Sequence, residues 1–193
     1  SLAIEIFEDK YPRHFLHQLI SGQLDMDRMD YLKRDSFYTG VSEGIIGTER
    51  IIKMLNVVDD TLVVEAKGIY SIEKFLIARR LMYWQVYLHK TVVAAEQVLI
   101  KLLERAKELV LQGHDIYCNE PLLFLLNSKL TKADFFPNPQ MPEAPLPLQH
   151  FAYIDDNDVM VAAKQWIHHG DKTLSQLANM IVNRRLPSVE LNS

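Results

Sequence analysis

Cysteine is nearly missing from this sequence. Cys118 is the only one among 193 residues, so no disulfide can form within the chain, which fits a reducing compartment. No apolar run approaches the roughly 20 residues that a membrane span needs. The first residues also lack the basic and then apolar pattern of a secretory signal. The sequence therefore predicts a cytoplasmic protein that has no membrane partner.

An excess of basic residues is missing as well. The formal net charge is −4, so the chain has no overall positive field, and we do not expect sequence-specific nucleic acid as a partner. An anionic ligand would have to be met by local arginine and lysine side chains.

Glycine and proline are absent between Tyr70 and Gln112. A continuous helix over this run would be about 60 Å long, and the pattern equally allows a bend within it. One face of this helix carries four polar or aromatic side chains within an arc of about 80°: Arg79, Tyr83, Tyr87 and Lys90. Taken alone, such a stripe is more typical of a surface or an interface than of a binding site.

A second polar helix is predicted in residues 23–40. At about 100° per residue, its apolar side, which we expect in the core, consists of Met26, Met29, Leu32 and Phe37. Gly40 is suited to end the helix with a positive φ. The opposite side carries Asp27, Tyr31, Arg34 and Tyr38, with Arg28 and Asp35 at its edge. Short acids, arginines and phenols suit fixed polar contacts, including contacts to phosphate, although a salt-bridged surface helix fits the composition equally well.

Shorter patterns predict the remaining elements. Residues 57–64, with Asp59-Asp60-Thr61 in the middle, are typical of a β-hairpin that needs a helical body to lie on. Helices are predicted over residues 1–20, 49–55, 116–135, 156–169 and 174–185. The proposed N-caps are Thr48, Ser71, Asp155 and Thr173. Five of the eight prolines fall between residues 137 and 147, which predicts an extended connector.

The order of the residues in the polar helix is more informative than its composition. Leu24-Asp25-Met26-Asp27-Arg28, followed by Asp30-Tyr31-Leu32, Arg34-Asp35 and Gly40, closely resembles the third metal-binding motif of HD-domain phosphohydrolases, in the branch of deoxynucleoside triphosphate triphosphohydrolases. The resemblance implies that Asp27 is a catalytic metal ligand and that Arg28 lies at the substrate phosphates. It further implies that Tyr31 packs on the sugar and that Asp35 reaches a sugar hydroxyl.

The long helix extends the same resemblance. In this branch a helix after the motif carries an arginine that reaches a phosphate and, two turns later, a tyrosine that packs against the sugar; Arg79 and Tyr87 match these positions. Tyr83 stands where some relatives have histidine and is carried over as a weaker substrate contact. His89-Lys90 resembles a pair that faces an effector site between subunits, which implies a homo-oligomer.

Most of the metal ligands of that family have no counterpart here. An HD site uses an early His, a His-Asp dyad and a late Asp, and only the late one, Asp27, is matched. Upstream of it stand only His14 and His17, neither followed by Asp, and His114-Asp115 comes too late in the chain. The chain thus resembles the C-terminal portion of a longer enzyme. We expect a divalent metal (Mn, Fe, Ni or Mg) in the complete enzyme, and we do not expect this chain to retain it.

We therefore predict an all-α fold, an HD-domain-like helical body with one small hairpin. Residues 1–112 would be the C-terminal part of the catalytic body, and residues 113–193 a helical region that contains the connector at 136–147. The predicted function is metal-dependent hydrolysis of a nucleoside triphosphate substrate, with deoxynucleoside and tripolyphosphate as products. The alternatives are an HD phosphohydrolase of another nucleotide phosphoester, and a helical oligomerisation or nucleotide-binding module without catalysis.

Overall fold

The computed structural model describes residues 1–136 and 145–188. Apart from one hairpin, its regular elements are helices, which confirms the predicted all-α class. The chain divides into two compact units, Ser1–His89 and Lys90–Ser193. The division after residue 112 concerned the catalytic body of a longer enzyme and stays a prediction. Residues 137–144 of the predicted connector lie outside the described residues.

The first unit contains a hairpin among short helices. Its elements are α1 (Leu2–Phe7), α2 (His14–Ser21), α3 (Met26–Thr39), α4 (Thr48–Met54), β1 (Leu55–Val58), β2 (Thr61–Val64) and α5 (Ile69–Met82). The strands pair antiparallel, as predicted, and Asp59 and Asp60 turn between them with φ of 48° and 59°. The hairpin lies on α2, because Gln18 Oε1 accepts a hydrogen bond of 2.7 Å from the Leu62 amide.

The core of this unit joins α3 to α5. Met29 and Leu32 of α3 are buried with Phe75 and Met82 of α5. Gly40 ends α3 with a φ of 71°, as predicted.

Two predicted core residues of α3 are wrong. Phe37 is 81% exposed and Met26 is also exposed. The buried side of α3 runs instead through Met29, Leu32 and Ser36, a narrower stripe at spacings of three and four residues. Phe37 is turned about 100° outward from Ser36. The Ser36 hydroxyl is accommodated inside because it donates a 2.7 Å hydrogen bond to the Val41 carbonyl.

The run without glycine and proline does not form one helix. α5 ends at Met82, a π-helical turn follows at Tyr83–Tyr87, and α6 begins at Lys90. The predicted N-cap Ser71 is wrong, because α5 already begins at Ile69 after Gly68. Thr48 is likewise the first residue of α4 and not its cap.

The second unit is a helical bundle. Its helices are α6 (Lys90–Leu111), α7 (Glu120–Asn127), α8 (Leu146–Tyr153), α9 (Asp156–Trp166) and α10 (Lys172–Val182). Leu102, Trp166 and Leu174 are fully buried in its core. The Trp166 indole N–H donates to the Tyr117 carbonyl at 2.8 Å, which satisfies the one polar atom of that side chain.

The caps and ends of α9 and α10 agree only in part with the sequence-based predictions. Asp155 caps α9 as predicted, but the helix ends at Trp166 and not at His169. The cap of α10 is Asp171 and not Thr173, since its Oδ1 accepts from the Leu174 amide at 2.8 Å. Two hydrogen bonds from Arg105 and the one from Leu174 lower the pKa of Asp171 to about 2. Within the described residues no helix is long and apolar enough to cross a membrane.

Candidate functional site

The start of α3 presents the motif residues. Asp25 is the N-cap of α3: its Oδ1 accepts a 2.7 Å hydrogen bond from the Arg28 amide, which satisfies one of the free amides of the first turn. The cap fixes where the helix begins, so Asp27 and Arg28 both lie in the first turn.

Asp27 and Arg28 have different surroundings. Asp27 is exposed and makes no hydrogen bond or ion pair with any residue in the described ranges. Arg28 is partly buried, and its Nη1 lies 2.9 Å from Asp25 Oδ2 and also donates to the Gly22 carbonyl. Asp27 is therefore available to a ligand, whereas one end of the Arg28 guanidinium is held by the protein.

Two tyrosines and an aspartate join α3 to the π-helical turn. The Tyr87 hydroxyl donates a 2.7 Å hydrogen bond to Asp35 Oδ2. The Tyr31 and Tyr87 rings meet edge to face, with centroids 6.1 Å apart. Tyr83 packs against Tyr87 in the same manner at 5.1 Å. We call Tyr31, Tyr83 and Tyr87 the tyrosine cluster.

The positively charged side chain of Arg79 lies beside the tyrosine cluster. The Arg79 Cζ lies 5.8 Å from the centre of the Tyr83 ring, a cation–π distance. Burial raises the pKa of the Tyr31 hydroxyl and the charges of Arg79 and Arg28 oppose that shift. Burial and the hydrogen bond to Asp35 together raise the pKa of Tyr87. Both phenols therefore keep their protons at neutral pH and can donate hydrogen bonds.

The structure thus brings together the six predicted substrate residues. Arg28, Tyr31, Asp35, Arg79, Tyr83 and Tyr87 form one polar and aromatic surface of the first unit. Whether they line a common cavity, as the sequence predicts, stays a prediction. π-Helical turns occur frequently at functional sites, and no local signal in the sequence indicates this one.

The predicted effector residues fall on either side of the boundary between the units. His89 is the last residue of the first unit and is exposed. Lys90 begins α6 and lines a cavity of about 770 Å³ in the second unit, together with Arg184, Glu96 and Leu99. Their effector role stays a prediction.

The described residues do not form a metal site by themselves. No three His, Cys, Asp or Glu side chains come together within residues 1–136 and 145–188 in a way that could hold a metal ion. A transition metal needs several ligands in fixed geometry, and at the start of α3 this chain offers the single free carboxylate of Asp27.

Asp25 is a residue of this site to which the sequence analysis assigned no role. It is 4% exposed, and both of its oxygens are engaged by Arg28. An available signal was the N-cap pattern, an aspartate directly before the first helical residue.

This chain is similar to several known proteins. Residues 46–122 match the family model of the HD associated region. A phosphohydrolase of known crystal structure from Bacteroides thetaiotaomicron is 58% identical, with a TM-score of 0.90 over 96% of this chain and 45% of that one. The uncharacterized protein YwfO of Bacillus subtilis is 33% identical over 184 residues, which are 94% of this chain and 39% of that protein.

A more distant relative carries a specific name. The deoxynucleoside triphosphate triphosphohydrolase SAMHD1 homolog of Dictyostelium discoideum is 23% identical over 135 residues, 68% of this chain and 26% of that protein. The chain spans less than half the length of each of these relatives. Taken together, the matches show that this chain is similar to HD-type phosphohydrolases, and that residues 46–122 resemble the HD associated region.

Proposed function

We propose that the longer protein to which this chain corresponds hydrolyses deoxynucleoside triphosphates to deoxynucleoside and tripolyphosphate. The observation that carries the proposal is the Tyr87–Asp35 hydrogen bond of 2.7 Å. It joins the π-helical turn to α3, so that two phenols, a carboxylate and two arginines share one surface. This set suits a sugar flanked by phosphates, since aromatic rings pack on a sugar and arginines bind phosphate oxygens.

Each residue has a proposed role. Arg28 and Arg79 bind phosphate oxygens and neutralise the charge that accumulates there. Tyr31 and Tyr87 pack against the sugar. Asp35 accepts a hydrogen bond from a sugar hydroxyl, since Tyr87 engages its Oδ2 and leaves Oδ1 available. Tyr83 holds the Tyr87 ring in place by its edge-to-face contact.

Asp27 would supply one carboxylate ligand to a divalent metal in the complete protein, and such a metal activates water and polarises phosphate oxygens when bound. The remaining ligands would come from outside this chain. For the 193-residue chain alone we expect no stoichiometric transition metal and no nucleotide hydrolysis, which elemental analysis and product chromatography measure directly.

The experiment uses the full-length gene product and a matched pair of aspartates. Asp27→Asn should reduce turnover of dGTP by more than about 100-fold, because loss of a charged ligand weakens metal binding. Asp30→Asn is the control: Asp30 is an exposed acid of the same helix whose partner among the described residues is Arg34, and its loss should leave the rate within about twofold. A normal rate and normal metal content in Asp27→Asn would contradict the role of Asp27.

A substrate panel separates the alternatives. Turnover of dNTPs over nucleoside monophosphates and cyclic or signalling nucleotides supports the proposal. Preference for another phosphoester makes the protein an HD phosphohydrolase of different specificity. Nucleotide binding without turnover of any substrate, in a metal-loaded full-length protein, would favour the non-catalytic module.

A further inference from the structure

Asp25 is the one buried carboxylate of the described residues and carries more contacts than a helix cap needs. Its Oδ1 accepts from the Arg28 amide at 2.7 Å, and its Oδ2 lies 2.9 Å from Nη1 of the same residue. Serine or asparagine at this position would cap the helix equally well. Burying a carboxylate is costly unless its charge is paired, so the second contact, to the guanidinium, calls for a reason of its own.

The reason lies in the geometry of Arg28. Its guanidinium is a rigid planar fork with five N–H donors. Nη1 is held from two sides, by Asp25 Oδ2 and by the Gly22 carbonyl. Among the described residues, no hydrogen bond engages Nε or Nη2 of Arg28. Because the fork is planar, fixing its Nη1 end also fixes the direction of the free edge, and the side chain remains 25% exposed.

We propose that Asp25 is a positioning residue, which holds the Nη1 end of Arg28 so that the Nε and Nη2 donors are preset to bind a phosphate oxyanion. The inference rests on the proposed function, in which Arg28 meets the substrate phosphates. The free edge can bind two oxygens of a phosphate in parallel. Presetting that edge removes the conformational cost of ordering a long side chain when substrate arrives.

The position of the pair in the chain supports this role. The cap and the ion pair act on residue 28 of the same helical turn that presents the exposed carboxylate of Asp27. Arg28 and Tyr31 stand three residues apart on α3, so they are neighbours on the surface of that helix.

The test is a double-mutant cycle in the full-length protein with Asp25→Asn and Arg28→Gln. Asparagine preserves the cap but cannot hold the guanidinium by charge. We expect Asp25→Asn to lower kcat/KM for dGTP by about tenfold. The change should be mainly a higher KM, because Arg28 would bind the phosphates in both the ground state and the transition state. In the Arg28→Gln background, Asp25→Asn should add nothing, because its effect passes through Arg28. An equal loss in both backgrounds, or no loss in either, would refute the positioning role.

A second variant keeps the proposal testable if Asp25→Asn does not fold. Arg28→Lys keeps the charge and leaves Asp25 a partner, but an ammonium cannot be held at one end and offer a fixed edge at the other. We expect it to lose about as much kcat/KM as Arg28→Gln, and wild-type kinetics in Arg28→Lys would overturn the proposal. Calorimetric titration with inorganic tripolyphosphate separates the two hypotheses. If no nucleotide is hydrolysed, the proposed function fails, whereas a weaker affinity for tripolyphosphate in Asp25→Asn or Arg28→Lys than in wild type still supports the positioning role, and an unchanged affinity refutes it.

Discussion

Removing the hydroxyl of Tyr87 tests the contact that joins α3 to the π-helical turn. Tyr87→Phe keeps the ring, and with it the edge-to-face contacts to Tyr31 and Tyr83. It deletes only the 2.7 Å hydrogen bond to Asp35. A hydrogen bond to a charged group contributes about 1.5–3 kcal/mol. Since both partners are half-buried and water can reach Asp35, we expect the lower end, about 1.5 kcal/mol.

The matched control is Tyr83→Phe. Tyr83 belongs to the same turn and packs edge to face on Tyr87, but its hydroxyl makes no hydrogen bond within the described part of the chain. Its loss should change the free energy of unfolding by less than about 0.5 kcal/mol. For a chain of this size, 1.5 kcal/mol corresponds to a Tm lower by about 3–6 °C, which calorimetry resolves. Equal losses in the two variants would show that the Tyr87–Asp35 bond contributes no stability of its own.

The pH dependence gives an independent check. Burial, and then the hydrogen bond to Asp35, raise the pKa of Tyr87 above its ordinary value of about 10. The folded chain therefore holds this proton to higher pH than the unfolded chain does. The stability that Tyr87 contributes is fully present below about pH 10 and is lost as the pH rises towards the raised pKa. The difference between wild type and Tyr87→Phe should accordingly be constant from pH 7 to 9 and shrink above pH 10.

Three further predictions concern Asp171, Gly44 and the packing of the Tyr87 ring. Asp171→Ala removes both the cap of α10 and the bidentate pair with Arg105. It should lower the free energy of unfolding, measured by chemical denaturation, by about 2 kcal/mol. The control Asp156→Ala, at an exposed acid of α9, should lower it by less than about 0.5 kcal/mol. Because the pKa of Asp171 is lowered to about 2, that difference is present above about pH 4 and disappears as the pH falls towards 2. Gly44→Ala places a Cβ 2.7 Å from the Ser36 Cβ and should lower the free energy of unfolding by about 1–3 kcal/mol through overpacking. At Gly170 a Cβ would meet no atom within 4 Å, so Gly170→Ala should be close to neutral. A neutral Gly44→Ala would show that the contact with Ser36 relaxes freely. In the full-length protein, Tyr87→Leu should weaken dGTP turnover and narrow a dGTP-to-GTP preference expected to be about 10² from packing alone; an unchanged kcat/KM ratio would make Tyr87 a packing residue only.

Several local features of the structure depend only on residues that are close in the sequence. Gly40 ends α3 with a φ of 71° because glycine alone pays no steric cost there. Asp59 and Asp60 form the hairpin turn because aspartate tolerates a positive φ. Met29 and Leu32 are buried because their spacing of three residues places them on one face. Such features depend on a few consecutive residues, so the sequence was sufficient to predict them.

Other features depend on how distant segments meet. The choice between Ser36 and Phe37 as the buried residue of α3 was settled by the Val41 carbonyl, which accepts from the serine hydroxyl. The sequence alone placed the six predicted substrate residues on two helices, and it could only predict that these residues contact one another. The bond from Tyr87 to Asp35 spans 52 positions of the chain, and it required the π-helical turn that no local pattern indicates.

The sequence by itself determined which side chains are candidates for contact with a ligand: the carboxylate of Asp27, the arginines, and the phenols of the tyrosine cluster. Their chemistry and helical spacing are fixed by residue type and by 3.6 residues per turn. Only the tertiary structure decided which of their donors and acceptors are already used. Asp25 holds one end of Arg28, and Tyr87 engages one oxygen of Asp35. Hydrogen bonds of this kind require atoms about 3 Å apart with the correct alignment, and folding alone sets those distances.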